Sequence, residues 1–190
     1  MRIFLSVLVL IFSLQSLTKA DDISEFEIEG ISIGDSLLDY YNDSKIQDTK
    51  MNYLEGKRNF YVVGVDDGSK LYDNIEFYLK TGDKKYILHN LSGVLIYQNN
   101  IQDCYPKMDE ISLSIENNFS YNKKYNKDSF KHAGDSTGKS IITDITYKFK
   151  DGYIVILCYD YSKEHGGQDH LSVAIDTNEL NKWLIDDAWK

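Results

Sequence analysis

The stretch that decides the fold runs from Ile141 to Tyr161 and reads IITDITYKFKDGYIVILCYDY. Its first half alternates, as in a strand with one buried face, with Ile141, Thr143, Ile145, Tyr147 and Phe149 on one side. Lys150-Asp151-Gly152 is a turn signal, and Tyr153–Tyr161 after it is apolar on both faces, as expected for a central strand. Because short turns join neighbouring strands antiparallel, we predict an antiparallel sheet.

Other patterns extend this prediction in both directions along the chain. Strands are predicted at Phe60–Val65, Asn74–Lys80, Tyr86–Tyr97 and Leu171–Ile175. Helices are predicted from Ser32, with Asp35 as reciprocal capping partner, to Asn42, from Ile101 to Phe119, and after Asp176, with Glu179 in the first turn. The expected fold is α+β, with an antiparallel sheet of about six strands and three helices in the order α-βββ-α-βββ-α. Residues 21–190 should form one domain.

The segment Ser120–Gly138 is polar and has no sustained period. We therefore expect it to be a long loop or flap, of the kind that is usually functional or disordered.

The N-terminus has the features of a secretory signal peptide. Arg2 is positively charged, Ile3–Leu14 is an apolar run broken by two serines, and the small residues Thr18 and Ala20 fit a cleavage site. The run is shorter than the about 20 apolar residues that a membrane span needs. We expect an exported, periplasmic or extracellular, chain that starts at Asp21 and has no stable membrane insertion.

Charge excludes one class of function. The whole chain carries 21 basic and 30 acidic residues, a formal charge of -9. Removal of residues 1–20 takes away two of the basic residues, Arg2 and Lys19, and no acidic one, which leaves -11. An acidic chain repels phosphate backbones, so we predict no nucleic-acid partner.

Cys104 and Cys158 are the two cysteines of the chain. In an oxidising compartment an even pair is more often bridged than free. Two buried thiols that pack as small apolar groups are the alternative. We predict a disulfide between the start of the long helix and a central strand, which requires Cα atoms within about 7 Å.

The segment Ala133–Ser140, AGDSTGKS, matches a relaxed nucleotide-binding loop in which Ala replaces the first Gly. Such a loop needs a hydrophobic strand before it and a helix after it, so that backbone amides converge on phosphate. Here Asp128–His132 is polar and Ile141–Phe149 alternates as a strand. We therefore predict that no nucleotide binds and that Lys139 is structural or solvated.

A second polar segment concentrates histidine and carboxylate. His165, Asp169 and His170 lie in one predicted turn, where His132 or Asp160 could complete a set of zinc ligands. The spacing fits no established metal signature, and a glycine-rich polar connection is what an ordinary hairpin needs. We therefore predict no metal and no other cofactor. The remaining histidine, His89, falls in an apolar strand and is expected to be structural.

One stretch resembles a known family. Gly30–Asn42, GISIGDSLLDYYN, resembles the start of the small SmpA/BamE-like envelope modules, in which a capped helix precedes an antiparallel sheet, and of the related β-lactamase-inhibitor-like modules. The resemblance implies a noncatalytic, protein-binding module.

These observations predict an exported, noncatalytic module that binds another exported or envelope protein, or a surface ligand. The sheet face or the segment Ser120–Gly138 would be the contact surface. The alternative is a small hydrolase or metal-dependent enzyme that uses His165, Asp169 and His170. No catalytic residue stands out, so an enzyme is the less favoured interpretation.

Overall fold

A computed structural model describes residues 19–51, 59–66, 69–98 and 100–188. Most of the predicted signal peptide, residues 1–18, lies outside the described residues. Within the described ranges, no helix is long and apolar enough to cross a membrane.

The described chain is mostly β. Its strands are β1 (Glu27–Ile28), β2 (Ile31–Ser32), β3 (Lys50–Met51), β4 (Phe60–Val65), β5 (Asn74–Lys80), β6 (Leu88–Ile96), β7 (Lys123–Lys131), β8 (Ile141–Lys148), β9 (Gly152–Asp160) and β10 (His170–Thr177). Its helices are α1 (Asp43–Asp48), α2 (Cys104–Asn118) and α3 (Asn178–Trp183), with a π-helical turn at Leu184–Ala188 and short 3-10 turns at Ile23–Glu25, Leu37–Asp39 and Ile101–Asp103.

Eight strands form one antiparallel sheet in the order β3-β4-β5-β6-β10-β9-β8-β7, and β1 pairs with β2 in a separate ribbon. The strands β3 to β6 pair in sequence from one edge to the centre. The chain then passes through α2 to the opposite edge, and β7 to β10 return to the centre, where β10 pairs with β6. The two halves therefore join into one sheet.

The predicted α+β class, with six strands in the order α-βββ-α-βββ-α, is wrong. The largest omission is β7, which lies inside the segment Ser120–Gly138 that we expected to be a loop. Its sequence, KKYNKDSFK, is almost wholly exposed at the sheet edge, so neither face has the apolar alternation that identifies a strand. The two-residue β3 is too short to leave a pattern.

The first predicted helix is also wrong. Ser32 N–H does donate to the Asp35 carboxylate, over 2.9 Å, as in a capping box. However, Gly34 has φ +90°, a left-handed conformation that a helix does not allow. Only a 3-10 turn follows, and the short helix α1 begins after Asn42, whose side chain accepts the Lys45 N–H.

At the last helix the capping residue differs from the prediction. Thr177, and not Asp176, is the N-cap of α3, and its hydroxyl accepts the Leu180 N–H. Asp176 is the preceding residue of β10, and its side chain therefore lies on a face of the sheet.

The main core lies on the first face of the sheet. Alternate side chains of the central strands, such as Leu171, Val173 and Ile175, pack there against α2 and the N-terminal segment. The Cys104–Cys158 disulfide ties the start of α2 to β9 across this core, with 6.0 Å between the Cα atoms. The predicted pairing is confirmed.

Candidate functional site

Among the described helices, only α3 and the π-helical turn after it pack on the second face of the sheet. α3 and the π-helical turn pack over β4, where the ring centres of Phe60 and Trp183 are 5.1 Å apart. The other described helices pack on the first face. We call the remainder the open face; it consists of Glu76 of β5, Asn90, Ser92 and Val94 of β6, Ser172, Ala174 and Asp176 of β10, Tyr153, Val155, Leu157 and Tyr159 of β9, Ile142, Asp144 and Thr146 of β8, and Tyr125 and Phe130 of β7.

A buried polar chain occupies the centre of the open face. Asp176 of β10 and Asn90 of β6 are direct cross-strand neighbours, and the Asn90 amide donates to the Asp176 carboxyl over 2.6 Å. The Ser92 hydroxyl in turn donates to the Asn90 carbonyl over 2.9 Å. Burial raises the pKa of Asp176 to about 6, against the smaller, lowering effect of the Asn90 hydrogen bond.

Rings gather at one end of the open face. We call this group the Tyr–His cluster: His132, Tyr159, Tyr161, His165 and His170. Tyr159 stacks on His170 with 4.4 Å between ring centres, and Tyr161 stacks on His165 with 4.6 Å. His132 meets Tyr159, Tyr161 and His165 edge-on at 5.9, 5.4 and 5.6 Å. Three of the four histidines of the chain therefore lie in one cluster.

Local structure places each ring. Tyr159 and Tyr161 follow the period-2 alternation of β9, and His170 begins β10 directly opposite Tyr159. The His170 Nδ1 lies 2.9 Å from the Gln168 carbonyl oxygen, which requires the protonated nitrogen to be Nδ1. The backbone of Gly167 lies so close to the Tyr161 ring that a Cβ at this position would be 2.7 Å from it, so a larger residue does not fit there without a shift.

Burial sets the charge state of these rings. Burial lowers the pKa of His132 and that of His170, and a charge on His165 lowers the pKa of His132 further. It raises the pKa of Tyr159 well above the ordinary value and that of Tyr161 to about 12. At neutral pH these four side chains are therefore uncharged.

The nucleotide-like segment forms a turn around its own carboxylate. The buried Asp135 accepts the N–H groups of Thr137 and Ser140, over 2.8 and 2.9 Å, and the Ser140 hydroxyl over 2.7 Å. These hydrogen bonds lower the pKa of Asp135. Two backbone amides that a nucleotide loop would direct at phosphate thus bind Asp135. Lys139 pairs with Glu164 on the surface, and the strand β8 follows at Ile141.

The three residues considered as metal ligands have different surroundings. His165 and His170 belong to the Tyr–His cluster. The Asp169 carboxylate accepts the Tyr161 N–H over 2.9 Å, and the Asp169 carbonyl accepts the Tyr97 N–H over 2.7 Å, so this residue holds the loop in place. Asp160 is on the opposite face of β9 from Tyr159 and Tyr161. Among the described residues, no three His, Cys, Asp or Glu side chains form a group that could hold a metal ion.

His89 lies outside the Tyr–His cluster, where its ring centre is 5.2 Å from that of Phe60 and its Nδ1 is 3.4 Å from the Thr177 hydroxyl. The sequence analysis did not connect His132, Tyr159, Tyr161 and His170 as one cluster. The alternation of β9 puts the two tyrosines on one face, and the Lys150-Asp151-Gly152 turn predicts the pairing of β8 with β9. Their approach to His132 also depends on the pairing of β7 with β8, and the exposed, polar β7 has no strand signal in the sequence.

The described chain also has two shallow cavities of about 450 Å³, both away from the Tyr–His cluster. One is lined by Asp21, Asp22, Lys150 and Asp151 beside the start of the predicted mature chain, and the other lies between α3 and the β4–β5 edge. Their linings are rich in charged side chains, unlike the mainly apolar lining of a typical small-molecule site.

Comparison with known proteins identified no relative: no family model, curated protein or solved structure matches this chain.

Proposed function

We propose that this protein is an exported, noncatalytic module that binds another exported or envelope protein through the open face of its sheet. The observation that carries the proposal is the Tyr–His cluster, which concentrates large rings on a face that no described helix covers. Aromatic residues dominate the binding energy of protein interfaces because they bury much area at little cost in conformational entropy.

Exposed apolar side chains on both sides of the cluster extend this surface. Phe130 on β7 is 46% exposed and Tyr125 is 42% exposed, while Ile96 at the end of β6 is 36% exposed. Ile96 is the cross-strand neighbour of His170, and Phe130 is the neighbour of Ile142. A row of apolar and aromatic side chains, which also includes Tyr159 and the ring of His170, therefore crosses five strands. A broad row of this kind suits a protein surface better than a small molecule, which needs a concave pocket.

Export is supported by two independent observations. The N-terminal sequence has the charge, apolar run and cleavage residues of a signal peptide. The disulfide between Cys104 and Cys158 is typical of proteins that fold in an oxidising compartment. The resemblance of Gly30–Asn42 to small envelope modules implies the same class of function, although that segment does not form the helix that the resemblance predicts.

The alternative, a hydrolase or metal-dependent enzyme built on His165, Asp169 and His170, has no observation in its favour. The Asp169 carboxylate, which such an enzyme would need, accepts the Tyr161 N–H over 2.9 Å and holds the loop in place.

The test is site-specific photo-crosslinking in the cells that make the protein. A photoreactive phenylalanine replaces Phe130 on the open face, or Leu113, which is 58% exposed on α2, as the matched control. We expect one protein to be crosslinked from position 130 and not from position 113. The purified partner should then bind the wild-type protein and bind a Tyr161→Ala variant at least about tenfold more weakly, as for an interface hot spot. Equal crosslinking from both positions, or none from position 130, would contradict the proposal.

A further inference from the structure

We propose that the Tyr–His cluster makes the open face acid-sensitive: protonation of His132 and His170 separates the packed rings, so that a partner held at neutral pH is released in mild acid. The release of a partner rests on the proposed function, whereas the opening of the cluster is a property of the free protein. The inference stands on the packing of three histidines and two tyrosines in one half-buried group.

The packing leaves little room for added charge. The ring centres of His132 and His165 are 5.6 Å apart, so two imidazolium ions there would repel each other. His170 is stacked on Tyr159 and the ring centre of Tyr161 is 5.7 Å away, so other rings replace part of the hydration of the imidazole. One protonated ring can gain from a tyrosine face, but it must give up its hydration to stay in place.

Carboxylates near the cluster oppose this effect and are already occupied. Asp135 faces His132 and favours its charged form, but its oxygens bind Ser140 and Thr137. Asp169 likewise favours the charged form of His170, but its carboxylate already accepts the Tyr161 N–H. Burial is the larger influence on both histidines and lowers the pKa of each.

Other ionisable groups face the tyrosines. Glu76 on β5 lies near Tyr159 and Tyr161, and Tyr78 and Asp176 lie near Tyr159. Their charges act on the tyrosine hydroxyls, whose pKa values are raised further from neutrality. The tyrosines therefore stay neutral in mild acid, and the histidines are the groups of the cluster that change charge.

The direction of the pH dependence follows from linkage. A histidine whose pKa is lowered in the closed cluster binds fewer protons there than in the open form, whose histidines titrate near 6.5. The closed form is therefore fully favoured above about pH 6.5 and loses stability as the pH falls. For each proton that only the open form binds, the equilibrium constant for closing falls by up to about tenfold for every unit by which the pH is lowered.

Amide hydrogen exchange of the free mature protein tests this opening. The Tyr161 N–H, which donates to Asp169 beneath the cluster, is the reporter, and the Val173 N–H in the central strand β10 is the internal reference. We expect the protection of Tyr161, corrected for intrinsic rates, to fall at least about tenfold between pH 6.5 and 5.0, while Val173 changes less.

Two variants assign the effect. His132→Phe/His170→Phe keeps rings at both positions but removes their titration, and Tyr161 protection should then vary less than about twofold over the same range. His89→Phe, which alters a half-buried histidine outside the cluster, should behave as wild type. If the double variant does not fold, His132→Phe alone should reduce the pH dependence.

Unchanged Tyr161 protection in the wild-type protein overturns the inference, and so does a loss in His132→Phe/His170→Phe, or in His132→Phe, that equals the loss in the wild type. These results are independent of any partner. If crosslinking from position 130 fails but Tyr161 protection falls in acid, only the proposed function is refuted. If crosslinking succeeds but Tyr161 protection does not change with pH, only the acid response is refuted.

Discussion

Asp176 shows how one buried residue shapes the pH dependence of this protein. Its carboxyl group is 5% exposed and accepts a hydrogen bond from the neutral amide of Asn90. A neutral donor does not compensate for lost hydration of a carboxylate, so the pKa rises from 3.8 to about 6. Because this pKa is raised in the folded state, the contribution of Asp176 to the free energy of unfolding is fully present below about pH 3.8. It is lost as the pH rises through about 6.

We therefore expect Asp176→Asn to stabilise the protein at pH 7.5 by about 3 kcal/mol and to have little effect at pH 4. The asparagine carbonyl can still accept the Asn90 hydrogen bond, while the buried charge is removed. Urea unfolding at the two pH values measures the difference, and Asp39→Asn, which alters an exposed carboxylate, is the control. A variant that is equally destabilised at both pH values would contradict the expectation.

Lys139 is a residue whose sequence context suggests a function that its position does not support. It is exposed and paired with Glu164, so Lys139→Ala should leave the melting temperature nearly unchanged. ATP should shift the melting temperature of neither protein. In contrast, Asp135→Ala should lower the melting temperature clearly, because it removes the acceptor of the Thr137 and Ser140 N–H groups. A rise with ATP that depends on Lys139 would show that phosphate binds.

At the scale of the element, β7 has the properties of a protected sheet edge. A long edge strand exposes unpaired backbone groups to other chains, and lysine side chains and bulges limit such pairing. β7 has both: its register shifts between Tyr125 and Asp128, and Lys123 and Lys127 pack over the rings of Tyr125 and Tyr105. The polar character that concealed this strand in the sequence therefore has a physical role.

The disulfide connects two elements, and its removal should be costly. Cys104 and Cys158 are 54 residues apart, and the chain-entropy model assigns about 4 kcal/mol to a loop of this length. We expect Cys104→Ala/Cys158→Ala to lose most of that amount in chemical unfolding. A reducing agent should lower the melting temperature of the wild-type protein and leave the double variant unchanged. Two free thiols on titration of the exported protein would contradict the pairing.

At the scale of the whole molecule, the topology creates the open face. The chain passes through α2 between the two halves of the sheet, and α2 and the N-terminal segment pack on the first face. The short helix α3 and the turn after it pack on the second face against Phe60 and Val62 of β4 and Tyr78 of β5. The Tyr–His cluster, near the opposite edge, consequently lies beyond the reach of every described helix.

We expect the mature protein to begin at Asp21. Cleavage before Asp21 removes the backbone hydrogen bonds that Ala20 makes with Asn118 and Ser120. The side chain of Ile23, which is 3% exposed, stays in the main core and holds the new N-terminal segment in place. The intact mass of the exported protein measures the start site. A membrane-bound species that retains residues 1–20 would contradict the prediction.

Elements with strong alternation were predictable from the sequence. The runs at Asn74–Lys80 and Ile141–Phe149 alternate, Phe60–Val65 is rich in β-branched and aromatic residues, and strands occupy these positions. The helix predicted at Ser32–Asn42 is wrong, because its capping contact forms but Gly34 adopts a left-handed conformation that a helix does not allow. The sequence grouped part of the candidate site: it placed His165 and His170 in one turn and offered His132 as a further candidate ligand, but it left the tyrosines as unassigned sheet residues.

The sequence by itself determined the local order of the central strands and the antiparallel turns, because these depend on period-2 burial and on short-range turn chemistry. It also determined the cysteine pair, because two cysteines of an exported chain have one possible intramolecular pairing. Only the tertiary structure decided that β10 pairs with β6 and that β7 closes the opposite edge. Those pairings join residues far apart in the chain and leave no local pattern. They bring His132 against Tyr159 and Tyr161 and bury Asp176 beside Asn90, so the chemistry of the open face arises from long-range pairing.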